Sequence, residues 1–155
     1  MKRFIILFLS LYAVSTLYAQ KGIFIGFGAE ANGNTLNQTA IGGGYSLGMD
    51  LNRYIALGIK TTFSYDLESL STFEQAGFFR FYLPFKKQEL FLQAEAGGSI
   101  FFEDSESYLL FLGGIAAGWR LGIGKNWYIE PAARCGYPFV WGAGLNVGIR
   151  MSNEQ

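Results

Sequence analysis

Histidine is absent from the 155-residue sequence, cysteine occurs once, proline occurs three times, and only 15% of the residues are charged. A single cysteine excludes an internal disulfide. Without histidine, the chain lacks the side chain that most often acts as a general acid or base. Soluble domains average about 25% charged residues, so this composition departs from that class. Basic and acidic residues are equal at 12 each, so no basic excess favours nucleic acid as a partner.

A helical period is also lacking beyond residue 20, and a period of two takes its place. From Thr39 to Leu51 the sequence is TAIGGGYSLGMDL, in which every second residue from Ile41 is apolar or glycine. Such alternation indicates a strand with two unlike faces. Pro131 would delete a ladder bond inside its strand, so a bulge is expected there. The pattern predicts eight strands, at residues 22–31, 39–51, 54–65, 73–83, 90–102, 108–121, 127–137 and 141–151.

Residues 1–19 are expected to be an export signal that is removed from the mature chain. Lys2 and Arg3 supply a positive end, residues 4–14 form an apolar run, and Ala19 offers a small residue for cleavage. The alternative is a membrane-anchor helix, which needs about 20 apolar residues. The apolar run is shorter than that, so the pattern favours the signal.

Alternation alone does not separate a membrane barrel from a soluble, lipocalin-like carrier, and the distribution of charge distinguishes them. The face that carries the charges is otherwise mostly Gly, Ala and Ser, which suits the narrow lumen of an eight-stranded barrel. Aromatic residues of the apolar face gather near strand ends, as in the girdles of membrane barrels. The apolar face is therefore predicted to contact lipid. Ten strand charges share the small-residue face: Glu30, Asp50, Lys60, Glu74, Arg80, Glu95, Arg120, Glu130, Arg134 and Arg150.

Segments such as GGGYSLGMDL, GGIAAGWRLGIGKNWYIEP and GAGLNVGIRM make the chain resemble the small outer-membrane barrel proteins of the OmpA and OmpX type. The resemblance implies an all-β fold, an eight-stranded antiparallel up-and-down transmembrane β-barrel over residues 20–151, with a polar tail at 152–155. It also implies a monomer in outer-membrane lipid, inserted by the barrel-assembly machinery, with both termini in the periplasm. The chain departs from the family in closing its last strand on Met151 rather than on an aromatic residue.

Within this barrel, charges near mid-height are expected to form an ion-pair network across the lumen. Unpaired charges in such an interior are costly, and pairing makes them tolerable. A neutral, packed interior favours a plug that holds the barrel closed. The alternative is a narrow gated channel for ions or small solutes, with the network as its gate. The residues assigned to the network are Lys60, Arg80, Glu95, Glu130 and Arg134.

The predicted outer loops carry acidic residues without basic partners. These charges keep loop tips hydrated, or they bind divalent cations that bridge lipid phosphates, or they contact a cationic host or matrix protein. The acidic residues are Asp66, Glu68, Glu103, Asp104 and Glu106.

An enzyme is not expected. Outer-membrane acyl-transferases, deacylases and proteases of this architecture rely on a histidine, and Ser64, Ser99 and Ser107 have no imidazole to activate them. Scattered carboxylates and the single Cys135 do not indicate a metal site, and no cofactor is expected. The predicted role is structural, in envelope integrity and surface presentation, with adhesion as an additional hypothesis.

Overall fold

The structure, a computed structural model, describes residues 22–33, 39–66, 71–85, 88–103 and 106–151. Each strand in this part of the chain pairs antiparallel with the next, and β8 pairs with β1, so the sheet closes into an up-and-down barrel. This confirms the predicted eight-stranded fold. The predicted export signal and the polar tail lie outside the described residues. The strands are β1 (Ile23–Gly33), β2 (Thr39–Asp50), β3 (Ile55–Asp66), β4 (Ser71–Phe85), β5 (Gln88–Glu103), β6 (Glu106–Ile123), β7 (Trp127–Tyr137) and β8 (Trp141–Met151).

The strands β4, β5 and β6 are longer than the alternation predicts. Polar residues at the strand ends continue the ladder, as where Gln88 pairs with Leu121 and Glu103 pairs with Glu106. Ladder hydrogen bonds come from the backbone, so a polar side chain does not end a strand. By contrast, β7 and β8 have the predicted bounds.

The prediction of a bulge at Pro131 is wrong. Between β6 and β7 the register is Gly118 with Ala132 on one side of the proline and Leu121 with Ile129 on the other, without a slip. On its other edge, Pro131 pairs with Leu145 of β8. Because proline lacks an N–H, the ladder to β6 is interrupted there and then resumes in the same register.

Successive side chains point alternately outside and inside the barrel. In β1, Phe24 is fully buried whereas Phe27 is 60% exposed. The outer wall is a continuous apolar surface, with Leu109 at 70% and Phe111 at 67% exposure. None of the ten strand charges is exposed, so all of them face the interior as predicted. The described residues include no helix of the length and apolar character needed to cross a membrane.

Two neighbouring glycines of β2 show how tightly the inner face is packed. A Cβ at inward-facing Gly44 would collide with the backbone oxygen of Thr61 on β3, whereas a Cβ at outward-facing Gly43 would meet only the Gly28 oxygen at 3.4 Å. We therefore expect Gly44→Ala to lower the free energy of unfolding by about 1–3 kcal/mol. Gly43→Ala should change it by less than about 0.5 kcal/mol.

Urea titration of both variants, followed by tryptophan fluorescence, measures this difference. Equal losses in the two variants would contradict the inside and outside assignment of β2.

Candidate functional site in the barrel lumen

We call the barrel end that carries Ile23 and Met151 the terminal end. The lumen near this end is filled by aromatic rings. Phe24 and Phe78 lie 6.3 Å apart between ring centroids, and Tyr82 meets Phe91 edge to face at 6.4 Å. These four side chains are at most 4% exposed. Together with Tyr128 and Ala56 they form one buried cluster, called the ring layer below.

Two arginines insert their guanidinium groups into the ring layer. The Arg80 Cζ lies 3.9 Å from the ring centroid of Phe91, and the Arg120 Cζ lies 4.3 Å from the centroids of both Phe24 and Tyr128. A cation over a ring face is attracted by the ring quadrupole, most strongly where water is excluded. The rings therefore stabilise the charges that they surround.

Glu130 joins these arginines. Its Oε1 accepts a hydrogen bond from Arg80 Nη1 at 2.7 Å and another from Arg120 Nε. The side chains of Arg80, Arg120 and Glu130 are 5%, 3% and 1% exposed. One buried carboxylate is therefore shared by two buried cations.

A second set of charges lies farther from the terminal end. Glu30 accepts hydrogen bonds from Lys60 Nζ at 2.5 Å, from Asn32 Nδ2 at 2.8 Å and from Arg134 Nη1 at 3.3 Å. Arg134 also donates to Glu74 at 2.8 Å. These contacts join β1, β3, β4 and β7 across the lumen, so they connect opposite walls of the barrel.

Gln93 extends the first set toward the second. Arg80 Nε donates to the Gln93 side-chain oxygen at 2.6 Å, and the Gln93 amide donates to Glu95 at 2.6 Å. Between them lies a cavity of about 40 Å³, enough for a few water molecules. Its polar lining includes Glu30, Lys60, Glu95 and Arg134.

Each end of the lumen has its own closure. At the loop end, opposite the terminal end, Phe101 packs on Tyr108 at 5.4 Å and on Phe139 at 6.0 Å between ring centroids. At the terminal end, Arg150 Nε donates to Asp50 at 2.7 Å and its Nη1 donates to Glu89 at 3.2 Å. Side chains thus occupy much of the described lumen, with the small polar cavity between the ring layer and the loop-end cluster.

The five residues assigned to the network lie in the lumen, but they do not form one network among themselves. Arg80 contacts Glu130 directly, and Glu95 reaches Arg80 only through Gln93. Lys60 and Arg134 both pair with Glu30. Alternation gives the face of each residue but not the length and direction in which its side chain crosses the lumen, so these pairings could not be derived from it.

Sequence reasoning missed several residues of the lumen. Phe78 and Phe91 share the parity of Arg80 and Glu95, so their inward direction was available from the alternation. Glu89 was expected in a turn, but it lies in β5 and pairs with Arg150. The alternation of apolar residues could not show this, because the backbone ladder extends past the apolar part of the strand.

Three of the five acidic residues expected in outer loops fall at the loop end. Asp66 ends β3, Glu103 ends β5 and Glu106 begins β6, where it is exposed. Glu68 and Asp104 lie outside the described residues.

Solved structures show where this architecture occurs. The N-terminal β-barrel domain of Pseudomonas aeruginosa OprF superposes with a TM-score of 0.67 at 16% identity, over 85% of this chain and 100% of that domain. The fold is that of the small eight-stranded outer-membrane barrels. Neisserial surface protein A gives a TM-score of 0.61 at 9% identity, over 86% of this chain and 97% of its own. The Yersinia pestis outer membrane protein Ail, in a phospholipid bilayer nanodisc, gives 0.52 at 11%, over 84% and 99%.

No protein-family model and no curated protein matches the sequence. Identities of this size show a shared fold alone, so the function of this chain rests on its own residues.

The carboxylate of Glu130, which Arg80 and Arg120 share, allows a prediction about stability. Glu130→Gln removes the charge that two buried guanidinium groups share, and breaking a buried pair typically costs about 3–5 kcal/mol. Glu89→Gln is the matched control, because Glu89 is 21% exposed and pairs with Arg150, which is 27% exposed, at the terminal end. It should cost at most about 1 kcal/mol.

Urea unfolding of the two variants provides the measurement. If Glu130→Gln were as stable as the parent, the buried charges would not depend on this carboxylate.

Proposed function

We propose that the protein is an integral β-barrel of a bacterial outer membrane with a structural and surface role, and that its lumen is plugged rather than open. The observation that carries the membrane part is the apolar outer wall of a closed barrel, with the ten predicted strand charges all facing inward. In lipid every backbone polar group must be satisfied within the protein, and a closed barrel does this. The export signal predicted at residues 1–19 supports the same location.

Strand length and aromatic position support this proposal. The strands have 11 to 18 residues, and about 9–11 tilted residues cross a bilayer. Trp119 and Trp127 are about half exposed near the terminal end, and Tyr137 and Trp141 are about half exposed near the loop end. Aromatic residues at two levels of the outer wall match the girdles at the two membrane interfaces.

The packed lumen supports a plug. The ring layer and the loop-end cluster of Phe101, Tyr108 and Phe139 lie on either side of the small polar cavity. An eight-stranded barrel has just enough interior for side chains, and here large side chains occupy it. A soluble carrier would need an apolar cavity for its ligand, whereas the space between the layers is only about 40 Å³ and has charged lining residues.

A gated channel is the second candidate, and one observation favours it. Arg134 contacts both Glu30 and Glu74, and Glu30 also holds Lys60, so cations near the cavity have alternative partners within reach. Exchange between such partners is a way to open a narrow path.

The surface role includes adhesion through the acidic loop end. Support for it is the position of Asp66, Glu103 and Glu106 at the end opposite the termini, where a periplasmic terminal end places them outside the cell. Binding to matrix proteins, compared between the parent and a variant with the five acidic residues neutralised, tests this part.

Conductance in planar bilayers tests the plug. We expect no steady openings from the parent protein, and steady openings from the double variant Phe24→Ala and Phe91→Ala, because these rings fill the lumen beside the arginines. The control variant is Phe27→Ala, which changes an outward residue on the same strand as Phe24. It should show no steady openings. Steady openings of the parent that disappear in Glu95→Ala would instead favour the gated channel.

Detergent dependence tests the membrane assignment. The mature chain should be monodisperse only in detergent or lipid, and its folded form should migrate faster on a gel before heating than after, as closed membrane barrels do. A monodisperse chain in plain buffer would reverse the proposed orientation and favour the soluble carrier.

A further inference from the structure

The terminal end of the lumen opens into a second, larger cavity of about 180 Å³, called the mouth cavity below. We propose that the mouth cavity binds a phosphate group, either free or on a lipid headgroup. Its polar side chains are Glu89, Arg120, Lys125, Asn126, Tyr128 and Arg150.

The charge of the lining favours an anion. Arg120, Lys125 and Arg150 contribute three positive charges, and Glu89 contributes the one negative charge among the residues that line the cavity. The carboxylates of Glu130 and Asp50 do not line it, and each is already bound by an arginine. Glu89 is held by Arg150 Nη1, so an arriving phosphate would compete with Glu89 for that donor.

Arg120 is one of the residues that line the cavity, and part of its guanidinium group has no hydrogen-bond partner among the described residues. Its Nε contacts Glu130, whereas its Nη1 and Nη2 are buried and have no hydrogen-bond partner among the described residues. Guanidinium donors are well matched to phosphate oxygens, and such charge-assisted hydrogen bonds are the strong ones.

The turn between β6 and β7 borders the cavity through Gly124, Lys125 and Asn126. Gly124 has a φ of 71°, which favours glycine, and a Cβ there would meet nothing within 4 Å. The volume of about 180 Å³ is more than four times that of the inner cavity of about 40 Å³, which holds a few water molecules, so a phosphate group fits.

The position of the cavity suggests a lipid source, and that part rests on the proposed membrane location. Trp127, in the same turn region, is 54% exposed on the outer wall. Tryptophan at this position anchors at the headgroup level of a bilayer. Phosphate groups of the surrounding leaflet would then lie beside the mouth cavity.

Titration with inorganic phosphate, followed by amide signals of the ¹⁵N-labelled mature chain in a zwitterionic detergent, tests the site. We expect saturable shifts at Gly122 and Gly124 that chloride at equal ionic strength does not produce. The double variant Lys125→Gln and Asn126→Asp should bind about five- to tenfold more weakly. Glu89→Gln should bind more tightly, because it frees Arg150.

Arg53→Gln is the matched control, since it removes an exposed positive charge from the β2–β3 turn at the terminal end, outside the lining of the cavity. Its affinity should equal that of the parent. An equal loss in Arg53→Gln, weaker binding by Glu89→Gln, or shifts no larger than those with chloride would overturn the proposal.

Nanodiscs separate the two sources of phosphate. The same shifts in phosphatidylglycerol nanodiscs without added phosphate would assign the lipid headgroup. Shifts that require inorganic phosphate in those nanodiscs would assign the free anion. Should the chain prove soluble without detergent, the membrane proposal fails, and the inorganic phosphate titration in plain buffer still decides the anion site.

Discussion

The interaction on which the interior depends is the shared contact of Glu130 with Arg80 and Arg120. Charges that are removed from water carry a large desolvation cost, which only close pairing and hydrogen bonding offset. One carboxylate faces two guanidinium groups here, and the rings of Phe24 and Phe91 supply further stabilisation through their electron-rich faces. Gln93 continues the hydrogen bonds to Glu95. Each member is tolerated in the lumen because the others are present.

This arrangement also explains the glycines on the inner face. A Cβ at Gly48 would collide with the Phe24 ring, a Cβ at Gly58 with the Phe78 ring, and a Cβ at Gly118 with the Phe91 ring. Large rings on some strands therefore require glycine at the paired position of the adjacent strand, because a narrow barrel has a fixed interior volume. The ring layer therefore packs in the lumen only because glycines occupy the paired positions beside its rings.

The likeness to solved barrels persists at 16% and 9% identity. In this chain the fold is specified by the alternation that places apolar residues on one face of every strand. A fold that is specified by such a pattern constrains few individual residues, which leaves the lumen and the strand ends free to differ. Our functional proposals for this chain therefore rest on the ring layer, the polar cavity, the acidic loop end and the mouth cavity.

The sequence by itself determined the number of strands, their antiparallel order and the face of each side chain, because a period of two needs only local spacing. It also placed Lys60, Arg80, Glu95, Glu130 and Arg134 in the lumen. Only the tertiary structure decided that Lys60 and Arg134 meet at Glu30, and that Arg120 joins Arg80 at Glu130. Partners across a lumen come from strands far apart in the chain, and their contacts depend on barrel closure, register and side-chain length together.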